Sequence, residues 1–306
     1  MIIITSGGAY TDIDAYAGCV AYAELLRLQG KNAEAVLEPP LNASVPPYLR
    51  NLPVQYSRQY QPDDTDQFVL IDISDESVFA PFVAHDRISE IIDHHPGFER
   101  YWAGQKHIKA QIEVVGAACT QVFERWQDGG VLGKLPAATA QLLMGGILDN
   151  TLGLKAHITT ARDVHAYEQL QSLVGDHGTF IEQYFGDCQR FIEQDVMDAV
   201  GNDIKTPTFP GLGPIATGQL AVWDGSEMIQ NHLEEICQAM GSGDRWFLNL
   251  ISIGEGKSSL ITNNEAVAHY LSRLLSVTFD ERGIAQADRL WLRKEMMKAA
   301  LDAFAD

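Results

Sequence analysis

Carboxylates and imidazoles gather at the ends of three short apolar runs in this 306-residue chain. Residues 2–5 lead into Thr11-Asp12-Ile13-Asp14, residues 68–71 into Asp72-Ile73-Ser74-Asp75, and residues 88–92 into Asp93-His94-His95. A fourth acid, Asp149, closes the apolar stretch Gly145-Gly146-Ile147-Leu148. Carboxylates held together repel one another, and each has a raised pKa unless cations neutralise them. An oxygen-rich set with one or two imidazoles suits manganese, magnesium or a similar divalent ion. Two such ions ~3.5–4 Å apart activate water and clamp a phosphoryl group. A single Asp-x-Asp after a strand is ordinarily a helix cap on a solvated turn, and Asp72 alone is equally ambiguous. Adjacent histidines at a strand end, followed by Pro96-Gly97, gain nothing from a core. The four groups in this order point to a metal site.

The elements that would position these groups follow from hydrophobic periodicity. Residues 2–5, 68–71 and 88–92 read as strands, and residues 15–29 as a helix stopped by Gly30. Helical patterns cover 117–126, 137–148, 161–173 and a long stretch from about 179 to 200. Strands alternating with helices predict an α/β domain, a parallel sheet with helices on both faces, over residues 1–186. In such sheets ligands collect at the carboxyl ends of the strands, so the acidic ends could share one crevice. Past Gly201 the pattern changes. Strand-like runs at 206–209, 214–222 and 246–253 mix with helical ones at 227–240, 264–275 and 287–304, predicting a smaller α+β domain over 187–306.

Bulk properties bound the function. A hydrophobic share of 46% with 21% charged residues is that of an ordinary globular chain. No apolar run approaches the ~18 residues that cross a bilayer, and the opening lacks the basic flank of a secretory signal. The four cysteines, Cys19, Cys119, Cys188 and Cys237, are far apart and fit thiols in a reducing cytoplasm. A net charge of −19 argues against nucleic acid and anionic lipid as partners. A small anionic substrate stays open, provided metals or local cations reverse the field in one cleft.

The order Asp-x-Asp, Asp72 after an apolar strand, Asp93-His94-His95, then Asp149 resembles the DHH phosphoesterase superfamily. The stretch Gly146 to Lys155, continuing to Thr159-Thr160-Ala161-Arg162-Asp163, resembles the fourth motif of the family II inorganic pyrophosphatases. The segment Glu113 to Thr120 resembles the helix-opening segment before it. In the second domain, Asp203-Ile204-Lys205 is similar to the Asp-x-Lys motif of the pyrophosphatase, exopolyphosphatase and prune branch. Leu292-Arg293-Lys294 is similar to its Ser-Arg-Lys motif with the serine lost, and the Gly-Gly-Gly-His-type loop of the nanoRNase branch has no counterpart. The resemblance implies Asp12, Asp14, Asp72, His94 and Asp149 as ligands of one or two Mn2+ or Mg2+ ions. It also implies Lys205, Arg293 and Lys294 as phosphate-holding cations, His95 as the acid for the leaving phosphate, and Asp93 as the residue orienting an imidazole. The active site would lie in a cleft between the domains. One departure is sharp: Gly8 stands where the pyrophosphatases carry a first-site histidine and the related groups an asparagine. Asp75 is the nearby acid that could replace it.

The expected activity is therefore hydrolysis of phosphoanhydride bonds, in pyrophosphate or short polyphosphate, by metal-activated water. The alternatives are a phosphomonoesterase or nucleotide hydrolase on the same scaffold, or a non-catalytic phosphate-binding protein with a decayed first site. A homodimer is left open. Gly254-Glu255-Gly256-Lys257-Ser258 is rejected as a phosphate loop, because Ile251 occupies the required first glycine. His85, His107, His157, His165, His177, His232 and His269 have no partners at ligand spacing and read as structural.

Overall fold

The computed structural model describes residues 1–8, 10–61, 63–176, 178–241 and 245–304, so His177 lies outside the described residues. The chain divides into two compact units, Met1–Phe180 and Ile181–Asp306.

The first unit is built on β1 (Ile2–Thr5), α1 (Ile13–Leu28), β2 (Ala33–Ala35), α2 (Pro47–Arg50), β3 (Gln67–Ile71) and β4 (Ile88–Asp93). It continues through α3 (Glu99–Ala103), β5 (Lys109–Ile112), α4 (Ala118–Asp128), α5 (Ala137–Thr151) and α6 (Ala161–Val174). The strands form one parallel sheet in the order β2-β1-β3-β4-β5, flanked by helices. Alternation along the strands sorts the side chains to two apolar faces. Ile3, Phe68, Leu70 and Ile91 join Ile73, Val83 and Trp102 in one buried cluster. On the other face α1 approaches so closely that a Cβ at Gly18 would lie 2.6 Å from Ile71 Cγ2. The sheet grows in one direction from β1 to β2 and in the other from β1 to β3. The crevice above the carboxyl ends of β1 and β3 is thus a topological switch point, the usual ligand position in open parallel sheets.

The second unit takes up α7 (Phe180–Ile192, all but its first residue), α8 (Val196–Gly201), β6 (Thr208–Phe209), β7 (Gly213–Pro214) and β8 (Ala216–Val222). It ends with α9 (Gly225–Ala239), β9 (Trp246–Ser252), β10 (Lys257–Ile261), α10 (Glu265–Leu275), β11 (Ile284–Ala287) and α11 (Arg293–Phe304). Its sheet has the order β11-β10-β9-β8 and is mixed, with β8 parallel to β9 and the remaining pairs antiparallel.

Two helical expectations are corrected. The stretch 179–200 is not one helix, because the Asp195 carboxylate accepts from Asp198 N at 3.0 Å and starts a new helix there. The last helix begins at Arg293 rather than 287, since Ala287 pairs with Ser258 in β11. The intervening chain is pinned by Trp291 N on Ser258 Oγ and Leu292 N on Glu295 Oε2, both at 2.9 Å. The Gly-rich segment rejected as a phosphate loop is the turn after β9 and the first two residues of β10, with Gly256 at φ +70°. Among the described residues no helix is long and apolar enough to cross a membrane.

Candidate metal centre

Asp12 does serve as a helix cap: its Oδ1 accepts from Ala15 N at 3.0 Å. The next amide, Ile13 N, donates to Ser44 Oγ at 2.9 Å, so the loop after β2 also closes the start of α1. Asp14, in the first turn of α1, is wholly buried. Its two oxygens accept from Ala118 N at 2.8 Å and Cys119 N at 2.7 Å, at the first turn of α4. A carboxylate there meets amides with no partner inside the helix and the positive end of its dipole. Burial nevertheless pushes the Asp14 pKa up to about 7, with the Asp72 charge adding to it and His94 and Cys119 opposing.

Asp72 follows the last residue of β3 with φ +62°, a left-handed conformation that costs a non-glycine residue about 1–3 kcal/mol. Its N–H donates to Ile92 O at 2.8 Å, which ties it to the end of β4. There Asp93 organises the pair of histidines. Its Oδ1 accepts from His94 N at 2.7 Å, His95 N at 3.2 Å and His95 Nδ1 at 2.8 Å. Burial works to raise the Asp93 pKa, but the bond and charge of His95 outweigh it and hold the carboxyl below its usual value.

The two rings have different fates. His95 is half exposed, its side chain 52% accessible, with Nδ1 on Asp93. His94 is buried, and its Nδ1 lies 3.1 Å from Val115 O. A carbonyl can only accept, so Nδ1 carries the proton and Nε2 presents a lone pair in the neutral ring. That nitrogen faces Asp72 Oδ1 at 3.3 Å and Asp14 Oδ2 at 3.7 Å. Carboxylate oxygens around that nitrogen favour a cation at this point. The donor set, one imidazole nitrogen among carboxylates, fits manganese or magnesium.

Asp72, His94 and His95 offer ligand atoms that all lie within 4.8 Å of one another. Asp12, Asp14 and Asp149 stand outside that trio, and Asp14 reaches it through His94. Asp149 lies in the last turn of α5, half-buried. Gly146, three residues earlier on the same helical face, abuts the site. A Cβ there would sit 3.2 Å from Asp14 Oδ1 and 2.4 Å from Cys119 Sγ, so only glycine lets α5 lie this close. Gly8 has φ +82°, with Tyr10 O at 3.6 Å as the nearest obstacle to a side chain. The suggested substitute, Asp75, is occupied as the cap of a 3₁₀ turn, accepting from Ser77 N at 2.9 Å and Ser77 Oγ at 2.7 Å.

In the second unit the two distant motifs meet. Arg293 Nη2 forks onto Asp203 Oδ1 and Oδ2 at 3.1 and 2.9 Å, while Nη1 donates to Asp203 O and Thr217 O at 2.9 and 2.7 Å. Burial raises the Asp203 pKa against the opposing charge of Arg293. Lys205 pairs its backbone with Thr217 and leaves its side chain exposed, and Lys294 opens α11 beside Arg293.

Sequence reasoning singled out Glu113 to Thr120 by resemblance alone and missed what its residues 115–119 do, which is to hold His94 through a carbonyl and Asp14 through two amides. Gly116 was the available signal: a Cβ there would meet Thr151 Cγ2 at 2.6 Å and Asp163 Oδ2 at 2.7 Å.

Residues 2–147 match the sequence model described as DHH family, N-terminal domain. The chain is 26% identical over 175 residues to a "Probable manganese-dependent inorganic pyrophosphatase" of an Exiguobacterium species. It is 27% identical over 177 residues to a protein of the same description in Bacillus mycoides. Each alignment covers 56% of this chain and 55% of the relative, so the chain spans about half the length of the curated relatives it matches. Among solved structures, a Methanococcus jannaschii protein provisionally assigned to the family II inorganic pyrophosphatases superposes with TM-score 0.67 at 17% identity, covering all of both chains. An exopolyphosphatase-related protein from Bacteroides fragilis gives TM-score 0.53 at 14% identity, covering 99% of this chain and 91% of that one. These two likenesses are of fold.

Proposed function

We propose that this chain, whose residues 2–147 match the sequence model of a DHH-family N-terminal domain, is a divalent-metal-dependent phosphohydrolase acting on phosphoanhydride bonds. Inorganic pyrophosphate or a short polyphosphate is the substrate class. The carrying observation is His94, whose Nδ1 is committed to Val115 O while Nε2 faces Asp72 and Asp14. The names borne by the curated relatives support the choice of manganese and pyrophosphate.

In this reading Asp14, Asp72, His94 and Asp149 hold the better-provided metal site. Asp12 and Asp72 serve a second one that Gly8 leaves short of a ligand. Manganese or magnesium, when bound, would acidify water and neutralise phosphate charge. The protein's own part is electrostatic and positional. Asp93 holds the half-exposed His95 by Nδ1, and His95 delivers a proton to the leaving phosphate. Lys205 and Lys294 meet phosphate oxygens and balance the charge that develops in transfer. Arg293 contributes through its grip on Asp203, which fixes the segment bearing Lys205.

The test is phosphate release from pyrophosphate, tripolyphosphate, long polyphosphate and adenosine 3′,5′-bisphosphate, each with manganese, magnesium and cobalt. Activity should require a divalent ion, prefer the anhydrides, and vanish in Asp72→Asn and Asp149→Ala while folding stays cooperative. Release from the bisphosphate alone would favour a phosphomonoesterase. Full activity in either variant after chelation and metal repletion would overturn the site.

A further inference from the structure

Asp163 is a wholly buried carboxylate that the proposed chemistry does not use. It stands at the third position of α6, where it completes a capping box with Thr160: Oδ2 accepts from Thr160 N and Thr160 Oγ1, both at 2.7 Å. A capping box asks no more of it. Asp163 has further contacts, both with chain more than forty residues away. Oδ2 also accepts from Gly116 N at 2.9 Å, and Oδ1 accepts from Thr120 Oγ1 at 2.6 Å. These two contacts bracket a five-residue span. Just before it Val115 O takes the His94 Nδ1 proton, and inside it Ala118 N and Cys119 N hold the Asp14 carboxylate. The same span is pressed on by Thr151, just past Asp149, since a Cβ at Gly116 would meet both Thr151 and Asp163.

We propose that Asp163 is a positioning residue of the metal centre. Through Gly116 and Thr120 it fixes the Val115–Cys119 span, and so sets both the tautomer of His94 and the placement of Asp14. The inference rests on the metal-dependent reading above, but its first readout needs no metal. Partners that orient a metal-binding imidazole commonly change affinity 10–100-fold when removed.

The experiment compares the full chain with Asp163→Asn, Thr120→Val and Thr139→Val. The last is a control for lost stability: Thr139 is buried at the opposite end of α5 and bonds Glu24. Long-range proton–nitrogen spectra of histidine-labelled, metal-free protein report which nitrogen of His94 carries the proton. Calorimetric titration reports manganese affinity, and melting curves report folding.

The native chain should show His94 protonated at Nδ1. Asp163→Asn should spread the proton over both nitrogens and weaken manganese about tenfold or more. Thr120→Val should move both readouts in the same direction by less, and Thr139→Val should move neither. If Asp163→Asn fails to fold, Thr120→Val decides by the same two measurements. A native tautomer and native manganese affinity in Asp163→Asn would overturn the proposal. So would equal shifts in Thr139→Val at the same loss of melting temperature. If the native chain binds no manganese, yet Asp163→Asn still displaces the His94 proton, the metal reading fails and Asp163 stands only as the residue that fixes the His94 tautomer.

Discussion

Asp14 is the residue whose environment makes the clearest demand on pH. Its ordinary pKa of 3.8 is pushed up to about 7 by burial first and by the Asp72 charge second. The folded chain therefore binds that proton more tightly than the unfolded chain does. Stability contributed at this position is full below about pH 4 and is lost as pH rises toward 7, the reverse of a salt-bridged carboxylate. Metal-free protein should melt at progressively lower temperature across that window, and Asp14→Asn should flatten the decline. A bound cation removes the conflict, so the stabilisation by manganese should grow with pH. Melting curves in chelator and in manganese, taken at steps from pH 4 to 8, check both statements; equal slopes in the two proteins would sink them. Gly8 makes a second residue-level demand. At φ +82°, with Tyr10 O 3.6 Å from the place of a Cβ, Gly8→His should fold at a cost of about 1–2 kcal/mol and bind manganese more tightly than the native chain. Urea unfolding measures the first effect and titration the second, and unchanged affinity would show that no metal position lies within reach of residue 8.

At the scale of elements, the site depends on how closely α5 lies against α1 and α4. Gly146 is the contact point, with the space for a Cβ already taken by Cys119 Sγ. Gly146→Ala should cost about 1–3 kcal/mol through overpacking. Cys119→Ala removes the obstructing sulfur, so the double variant should recover much of the loss. A double-mutant cycle by urea unfolding reads the coupling, and strict additivity would place the strain elsewhere. Manganese affinity should fall in Gly146→Ala as well, because the added methyl also crowds Asp14 Oδ1. The strain at Asp72 belongs to this scale too. The turn out of β3 holds a non-glycine residue in the left-handed region, and a site that needs a carboxylate at that point cannot use glycine there.

For the molecule as a whole, each unit has its own core and its own polar keystone. Arg293 and Asp203 fill that role in the second unit, and removing one leaves the other largely buried without its partner. Arg293→Met should therefore lower the stability of the second unit by about 2–4 kcal/mol, while manganese titration of the first unit stays native. Lys205→Met should leave both units stable and reduce only hydrolysis, because its side chain is exposed. Calorimetric melting with parallel phosphate-release assays separates the two, and native hydrolysis in Lys205→Met would remove that lysine from the reading. The sequence by itself determined the α/β class of the first unit, because short continuous apolar runs alternate with stretches of helical pattern along the chain. It also determined that Asp72 and His94 share one crevice, since both sit at the ends of strands that a parallel sheet must bring to the same edge. The short β2, the edge strand β5 and the polar-fronted β10 escaped it, as runs too short or too mixed to carry a period. Only the tertiary structure decided which nitrogen of His94 faces the carboxylates, that α4 receives Asp14, and that Asp163 and Arg293 knit their units. Those outcomes rest on hydrogen bonds between residues from 21 to 105 apart, and such partners leave no local pattern in the chain.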